Sequence, residues 1–377
     1  MAVEQTPGRP IQVAFRVDAS ARMGGGHVMR CLTLAARLLA AGWGVTFIAA
    51  AITEPLRALL GDAGVRLIEI EPVRGSSRDA SDWDRANWPE PMQLEDAART
   101  AACLSGLRCD WLVLDHYGLD RCWEAALRSH AGRIAVIDDL ANRPHDCELL
   151  LDQTYGREDA DYRPLVGPDT ELLIGARYAL LRPEFARARP EALARHLQAG
   201  RVDRVLISLG MTDVGALTEV VARAALAVTE AQIDIVLGSA APTLPALLAF
   251  AAESPRVTLH VDTDRVCALM VEADLAIGAA GTTSWERCCL GLPALTFAIA
   301  GNQRTIASKL AAAGAIDLIR DTDFAGIEAA ISRLAGDSGY RAELARASAA
   351  ICDGTGASAV AARLLEGIDA SSMGKAV

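Results

Sequence analysis

No basic stripe runs along this sequence. Its 377 residues hold 37 Lys and Arg against 48 Asp and Glu, a formal charge of −11, so nothing is set up to neutralise a nucleic-acid backbone. An anionic ligand would be met by local dipoles and a few cations. Nor is there an apolar run of membrane-spanning length. The richest stretch, residues 32–52, is broken by Arg37, Gly42 and Gly44 and reads as helix, turn and strand. The opening MAVEQTPGRP lacks the apolar centre of a secretion signal, and a cytoplasmic location is expected. Metal-site spacing is missing as well. The nine cysteines show no zinc-like pairs, and Cys288 and Cys289 are adjacent within a helical pattern, so reduced thiols are expected. The six histidines form no cluster, and no isolated Asp-x-Asp pair occurs. Asp138-Asp139 could be argued as a metal site but reads better as a strand-end pair that caps or fixes its neighbours. No metal or other cofactor is expected.

What the sequence does have is apolar residues, 51% of the chain, many of them Ala and Leu. That suits helices packed on something else, and the length suits two domains. Short apolar runs alternate with amphipathic helical patterns. Strand patterns occur at 11–18, 44–50, 65–72, 110–118, 133–141 and 147–156, and again at 203–210, 232–238, 257–262, 273–281 and 293–299. A repeated β-then-α order implies parallel sheets covered by helices on both faces. The class is α/β, with two Rossmann-like domains expected to face a central cleft. Residues 182–201, rich in Arg, Ala and Pro, read as a linker. The expected domains are 11–186, 200–350 and a C-terminal helix and tail at 351–377. Residues 74–95, polar and holding Trp83, Trp88, Pro89 and Pro91, read as a long loop, either functional or a surface excursion anchored by its tryptophans. In parallel sheets ligands lie outside the carboxyl ends of the strands. There the first half carries Asp115-His116-Tyr117, Asp138-Asp139 and Asp152-Gln153.

The segment RMGGGHVMRC (22–31) joins the first strand to the first helix. Glycines at 24, 25 and 26 allow positive φ and close approach of a ligand to backbone. No Lys-Ser/Thr follows, so this is not a phosphate loop of the Walker type, and Met29 occupies the third glycine position of a dinucleotide fingerprint. His27 falls in the first helical turn, where unpaired N–H groups and the macrodipole disfavour the imidazolium form. An uncharged ring there suits a general base. The other reading is a histidine that caps or packs a helix start.

A second glycine-rich strand end, ADLAIGAAGTTSWERCC, offers Gly281, Thr282, Thr283 and Ser284 to a diphosphate at a helix N-terminus. Glu286, one turn on, suits a ribose diol. Alternatively Thr283 and Glu286 form a capping box. In SLGMTD, Gly210, Met211 and Thr212 lie near another helix start. Asn302 and Gln303 could read sugar hydroxyls or an acetamido group, or serve as turn and cap residues.

Five segments in order, FRVDASARMGGGHVMRC, LVLDHYGLD, AVIDDLANRPHDCELLLDQ, RYALLRPEF and GTTSWERCCLGLPAL, resemble the UDP-2,4-diacetamido-2,4,6-trideoxy-β-L-altropyranose hydrolases of pseudaminic acid biosynthesis, which supplies a sialic-acid-like sugar to bacterial flagella and surface glycans. The resemblance spans about residues 12–320. It implies the GT-B fold of a class of glycosyltransferases, notably the peptidoglycan enzyme that adds N-acetylglucosamine to lipid I, with UDP held mainly by the C-terminal domain. By matching position, His27 takes the place of the catalytic histidine. Asp18 and Tyr117 match residues at the sugar side, and Arg16 in the same FRVD run is placed with the substrate-binding residues alongside Gly25 and Gly26. Glu286 matches the ribose-binding glutamate, Val261 a residue whose backbone meets uracil, and Asn302 and Gln303 the amide pair facing the sugar. Trp285 stands where some members have Asn, and SLGMTD replaces a more glycine-rich loop.

The resemblance implies metal-independent hydrolysis of the C1–O bond, with water activated by His27 and inversion at C1. The leaving UDP would be held by 281–284 and 210–212. The rivals are a GT-B glycosyltransferase acting on a UDP-sugar and a non-catalytic UDP-sugar-binding protein. A small-molecule UDP-sugar is the expected partner, with neither nucleic acid nor membrane insertion. Transient contact with neighbouring pathway enzymes is left open.

Overall fold

The computed structural model describes residues 10–19, 25–75, 87–198, 200–213, 215–299, 301, 303–320 and 323–373. The chain divides into two compact units. The first comprises Met1–Gln153, Arg157–Ile174 and Ala357–Val377, the second Thr154–Gly156 and Gly175–Gly356.

The first unit is built on seven parallel strands. They are β1 (Gln12–Val17), β2 (Gly44–Ala49), β3 (Arg66–Glu69), β4 (Cys109–Asp115), β5 (Ala131–Ile137), β6 (Leu149–Asp152) and β7 (Glu171–Ile174), in the order β3-β2-β1-β4-β5-β6-β7. The order reverses direction between β1 and β4, which pair in register from Val13↔Trp111 to Val17↔Asp115. That junction is where a doubly wound sheet opens a crevice. β4, with every residue buried, carries the apolar run 111–114 of a strand covered on both faces. After β1 comes helix α1 (Gly26–Ala40), which buries Val28, Cys31, Leu34, Ala35 and Leu38 at helical spacing and stops before Gly42, at φ 83. Helix α2 (Glu54–Asp62) joins β2 to β3.

Residues 74–95 are not irregular throughout. Helix α3 (Glu90–Leu104) starts within them, with Pro89 at its N-cap and Pro91 in its first turn. Proline is well suited to a helix start, since its missing N–H has no intrahelical partner there anyway. Prolines read as part of a long loop therefore begin a helix. Trp83 lies outside the described residues. Trp88 does anchor the segment, for its N–H donates to Gly118 O (2.8 Å) and its ring meets the His116 ring edge-on at 4.8 Å. Helix α4 (Arg121–Leu127) and the short α5 (Asp159–Tyr162) complete the first half of the chain.

The 182–201 stretch forms helix α6 (Pro183–His196), with Phe185, Ala192 and His196 buried, and it belongs to the second unit. There six parallel strands follow: β8 (Arg204–Ser208), β9 (Gln232–Leu237), β10 (Val257–Val261), β11 (Leu275–Ala279), β12 (Ala294–Phe297) and β13 (Asp317–Leu318). They run β10-β9-β8-β11-β12-β13, again reversing at one junction, between β8 and β11. The helices are α7 (Thr218–Val228), α8 (Leu244–Glu253), α9 (Val266–Glu272), α10 (Thr283–Leu290), α11 (Gln303–Ala312), α12 (Phe324–Gly336) and α13 (Ser338–Ala349). Alternate residues of a strand feed opposite cores. Val205 and Ile207 join one apolar cluster with α7 and α12, while Leu206 joins the other with α9 and α10. The last helix, α14 (Gly356–Met373), lies mostly in the first unit, where Trp111 Nε1 donates to Leu364 O (2.9 Å). Among the described residues no helix is long and apolar enough to cross a membrane.

Candidate active site

In the first unit the β1–β4 junction brings His27 onto a carboxylate. His27 opens α1 and Asp115 closes β4, and His27 Nδ1 lies 2.5 Å from Asp115 Oδ1. Arg30, one turn along α1, fixes that carboxylate from behind, donating Nε to Oδ2 and Nη2 to Oδ1, both at 2.7 Å. Its Nη1 reaches Asp139 Oδ1 (3.0 Å) beyond β5. Tyr117 donates its hydroxyl to Asp139 Oδ2 (2.7 Å) and sets its ring edge-on to His27 at 4.6 Å. All but Asp139 are buried. Burial alone would raise the Asp115 carboxyl, but Arg30 and His27 outweigh it and hold it well below the carboxylate range. Burial pushes the Tyr117 phenol well up, with the Asp139 charge adding to the effect, so it stays protonated as a donor.

Asp115 accepting at Nδ1 assigns the hydrogen of the unprotonated ring to that nitrogen. The Nε2 lone pair is then available to an incoming proton. No side chain caps α1, whose N-cap is Gly25. The positive φ expected of the glycines does not occur at Gly25, which has φ −99, and Gly26 is an ordinary first helical residue. A Cβ on Gly25 would meet Leu56 Cδ1 at 3.3 Å. Gly24 lies outside the described residues.

Asp18 and Arg16 stand behind this group. Arg16 has no exposed surface and is saturated by two carboxylates. Nη1 meets Asp18 Oδ1 at 2.7 Å, and Nε and Nη2 meet Asp96 at 3.0 and 2.6 Å. Asp18 also accepts from Ala50 N (2.7 Å) and lies 3.4 Å from His116 Nε2. The expectation that Arg16 touches substrate therefore meets a buried brace, and Asp18 is likewise engaged on both oxygens. Burial would raise the Asp18 carboxyl, but Arg16 and His116 hold it well below its usual range. Asp138 accepts from Ala141 N (2.9 Å) and Tyr162 OH (2.8 Å), capping the turn after β5.

The second unit gathers the other expected residues at strand ends. Gly210 (φ 108), Met211 and Thr212 follow β8. Asp213 pins this loop, accepting from Thr218 Oγ1 (2.6 Å) and Thr243 Oγ1 (2.7 Å). Gly238 N donates to Met211 O (2.9 Å), and a Cβ on Gly238 would stand 2.7 Å from that oxygen. Met211 is exposed. Gly281 and Thr282 follow β11, and Thr283 and Ser284 begin α10. No side-chain cap forms there, so the capping box is absent. Thr283 Oγ1 instead accepts from Arg287 Nη1 (3.2 Å). Glu286 is half-buried, and burial pushes its carboxyl up to about 7, against the pull of Arg182 and Arg287. No hydrogen bond to its carboxylate forms among the described residues. Trp285 is 3% exposed and lies in the apolar core with Met270 and Cys288. Val261 ends the edge strand β10 and is exposed. Gln303 opens α11, its Oε1 accepting from Ile299 N (3.0 Å), with its amide nitrogen beside Gly281. Asn302 lies outside the described residues.

The sequence places Asp115 and Asp139 at strand ends, Asp139 also in a pair arguable as a metal site, and does not single out Arg30, Asp96, Asp213 or Arg287. A signal existed for Arg30. It is a charge inside the apolar run VMRCLTLAA, and a buried charge demands a partner.

No protein-family model matches the chain. It is 26% identical over 308 residues, 81% of its length and 97% of the other, to the UDP-2,4-diacetamido-2,4,6-trideoxy-β-L-altropyranose hydrolase of Campylobacter jejuni subsp. jejuni. Among solved structures, MurG of Acinetobacter baumannii superposes with TM-score 0.67 at 17% identity, covering 95% of this chain and all of that one. The calicheamicin glycosyltransferase CalG4 does so with TM-score 0.60 at 18% identity, covering 96% and 98%. The chain thus has the GT-B glycosyltransferase fold and is similar in sequence, over most of its length, to a UDP-diacetamido-trideoxy-altropyranose hydrolase.

Proposed function

We propose that the protein is an enzyme acting on a UDP-linked sugar. Its reaction is metal-independent hydrolysis of the C1–O bond of UDP-2,4-diacetamido-2,4,6-trideoxy-β-L-altropyranose, within pseudaminic acid biosynthesis. The observation that carries this reading is the His27–Asp115 contact, 2.5 Å long and braced by Arg30. The Nε2 lone pair takes a proton from water as the water oxygen bonds to C1 from the face opposite the nucleotide. The C1–O bond breaks with its electron pair passing to UDP, and the sugar leaves with inverted C1. The charge growing on the diphosphate is met by backbone donors at the head of α10 and around 210–212, where preorganised dipoles are most effective. Glu286 takes the ribose diol, the Val261 backbone the uracil, and Asn302 with Gln303 the sugar. The Tyr117 ring walls the base, while Asp18 and Arg16 hold the β1 end in place.

The experiment is incubation with the UDP-sugar in 18O-enriched water without an acceptor. Free sugar labelled at C1 and unlabelled UDP are expected. Label in the phosphate would exclude C–O cleavage. The second reading, transfer to an acceptor hydroxyl, is favoured by the glycosyltransferase among the solved structures of this fold. It requires that no free sugar forms until an acceptor is added.

Glu286 gives UDP binding a pH signature. With its carboxyl near 7, the group is mostly ionised at pH 8 and mostly protonated at pH 6, and a diol donates best to the ionised form. Calorimetry should show UDP affinity falling about tenfold more between pH 8 and 6 in the wild type than in Glu286→Gln. The phosphate's own titration is common to both proteins and cancels. Parallel pH curves would remove Glu286 from the nucleotide site.

A further inference from the structure

Arg287 is a buried cation with no carboxylate in contact, the charge of the adjacent Glu286 acting on it only at a distance. It is 2% exposed, and its guanidinium lies over Gly278 of β11, where a Cβ would come 2.5 Å from Nη1 and 3.0 Å from Ser208 O of β8. The charge therefore sits at the β8–β11 junction, beneath the loops that follow both strands. Nη2 donates to Ala279 O (2.8 Å) and Ser284 Oγ (3.1 Å), and Nη1 to Thr283 Oγ1 (3.2 Å). Nε has no acceptor. Among the described residues no carboxylate pairs with it.

The other buried arginines show how unusual this is. Arg16 is held by Asp18 and Asp96, Arg30 by Asp115 and Asp139, and Arg143 by Asp138. Arg341 has no carboxylate, but it donates to Leu334 O and Ala335 O at the end of α12, where the helix dipole is negative. Arg287 sits in the last turn of α10, but its guanidinium reaches back to Thr283 and Ser284 in the first turn, where the dipole has its own sign. Two positive features share one buried spot, which is costly unless an anion completes it.

We propose that Arg287 is a positioning residue for the diphosphate, resting on the UDP reading above. It does not touch the ligand. By donating to Thr283 Oγ1 it occupies a lone pair of that hydroxyl and leaves the Thr283 O–H free to donate outward to a phosphate oxygen. Its charge adds to the amides at the head of α10, and Gly278 is required because a side chain there would displace the guanidinium.

Calorimetry with UDP and with uridine separates this from a packing role. Arg287→Gln should weaken UDP about 10- to 50-fold and leave uridine within about twofold. Arg287→Lys should regain part of the loss. The unliganded Arg287→Gln protein should melt no lower than wild type, because an uncompensated charge has been removed. Thr283→Val should also lose UDP selectively, and the double variant should lose less than the sum of the two. Equal losses for UDP and uridine, or a variant that melts lower yet keeps UDP, would overturn the proposal. If Arg287→Gln does not fold, Thr283→Val alone decides, and unchanged UDP affinity refutes it. Wild-type protein that binds neither ligand overturns the UDP reading and this inference together. Wild-type binding with unselective losses overturns this inference alone.

Discussion

Replacing His27 by Asn should lower turnover about 100- to 10,000-fold while UDP affinity stays within about twofold. Asn fills similar space and can still hydrogen-bond Asp115, so the carboxylate keeps a partner and α1 keeps its start. What disappears is the lone pair on Nε2. Because His27 lies in the first unit and the expected nucleotide loops lie in the second, the loss should fall on kcat and leave ground-state binding of UDP nearly unchanged. Turnover within about threefold of wild type would mean that the proton goes elsewhere.

Asp115→Asn should do two things at once. The carboxylate is fully buried between His27 and Arg30. Removing its charge leaves Arg30 with Asp139 alone and costs on the order of 3–5 kcal/mol, the usual penalty for breaking a buried pair. Urea unfolding of the first unit's transition should report it. The second effect is on the base. An amide N–H turned toward Nδ1 would hold the ring hydrogen on Nε2, so the surviving folded protein should lose activity by about 100-fold or more. A folded Asp115→Asn protein with full activity would show that the carboxylate only packs. The stabilising effect of Asp115 has a defined pH window. Its folded carboxyl is held below the ordinary range, so the contribution is present above the unfolded carboxylate value, about 4, and fades as pH falls below it.

Much of this architecture is legible without coordinates, and the reasons are local. Alternating strand and helix patterns specify parallel sheets, because most buried strands carry short runs of apolar residues. The strand ends and helix starts then mark where polar groups converge, which is why Asp115, Tyr117, Asp139 and His27 can be picked out one by one. Their partnership cannot. Asp115 is 88 residues from His27 and Asp139 is 109 from Arg30. They meet because β1 pairs with β4 and β4 with β5, and no short pattern encodes that adjacency. Local chemistry also misleads where a helix starts one residue away from the expected cap, as α10 does at Thr283 with Thr282 as its N-cap. Thr283 and Glu286 have the spacing of a capping box, yet Arg287 claims Thr283. Pro89 and Pro91 read as part of a long loop but start α3, which carries Asp96 to Arg16.

The central claim is that Asp115 keeps the ring hydrogen of His27 on Nδ1 and leaves Nε2 open. Nitrogen-15 NMR of the histidine side chains, with His27 assigned by its loss in His27→Asn, measures this at a pH where the ring is unprotonated. The account expects a protonated Nδ1 and a bare Nε2. A hydrogen found on Nε2 would contradict it.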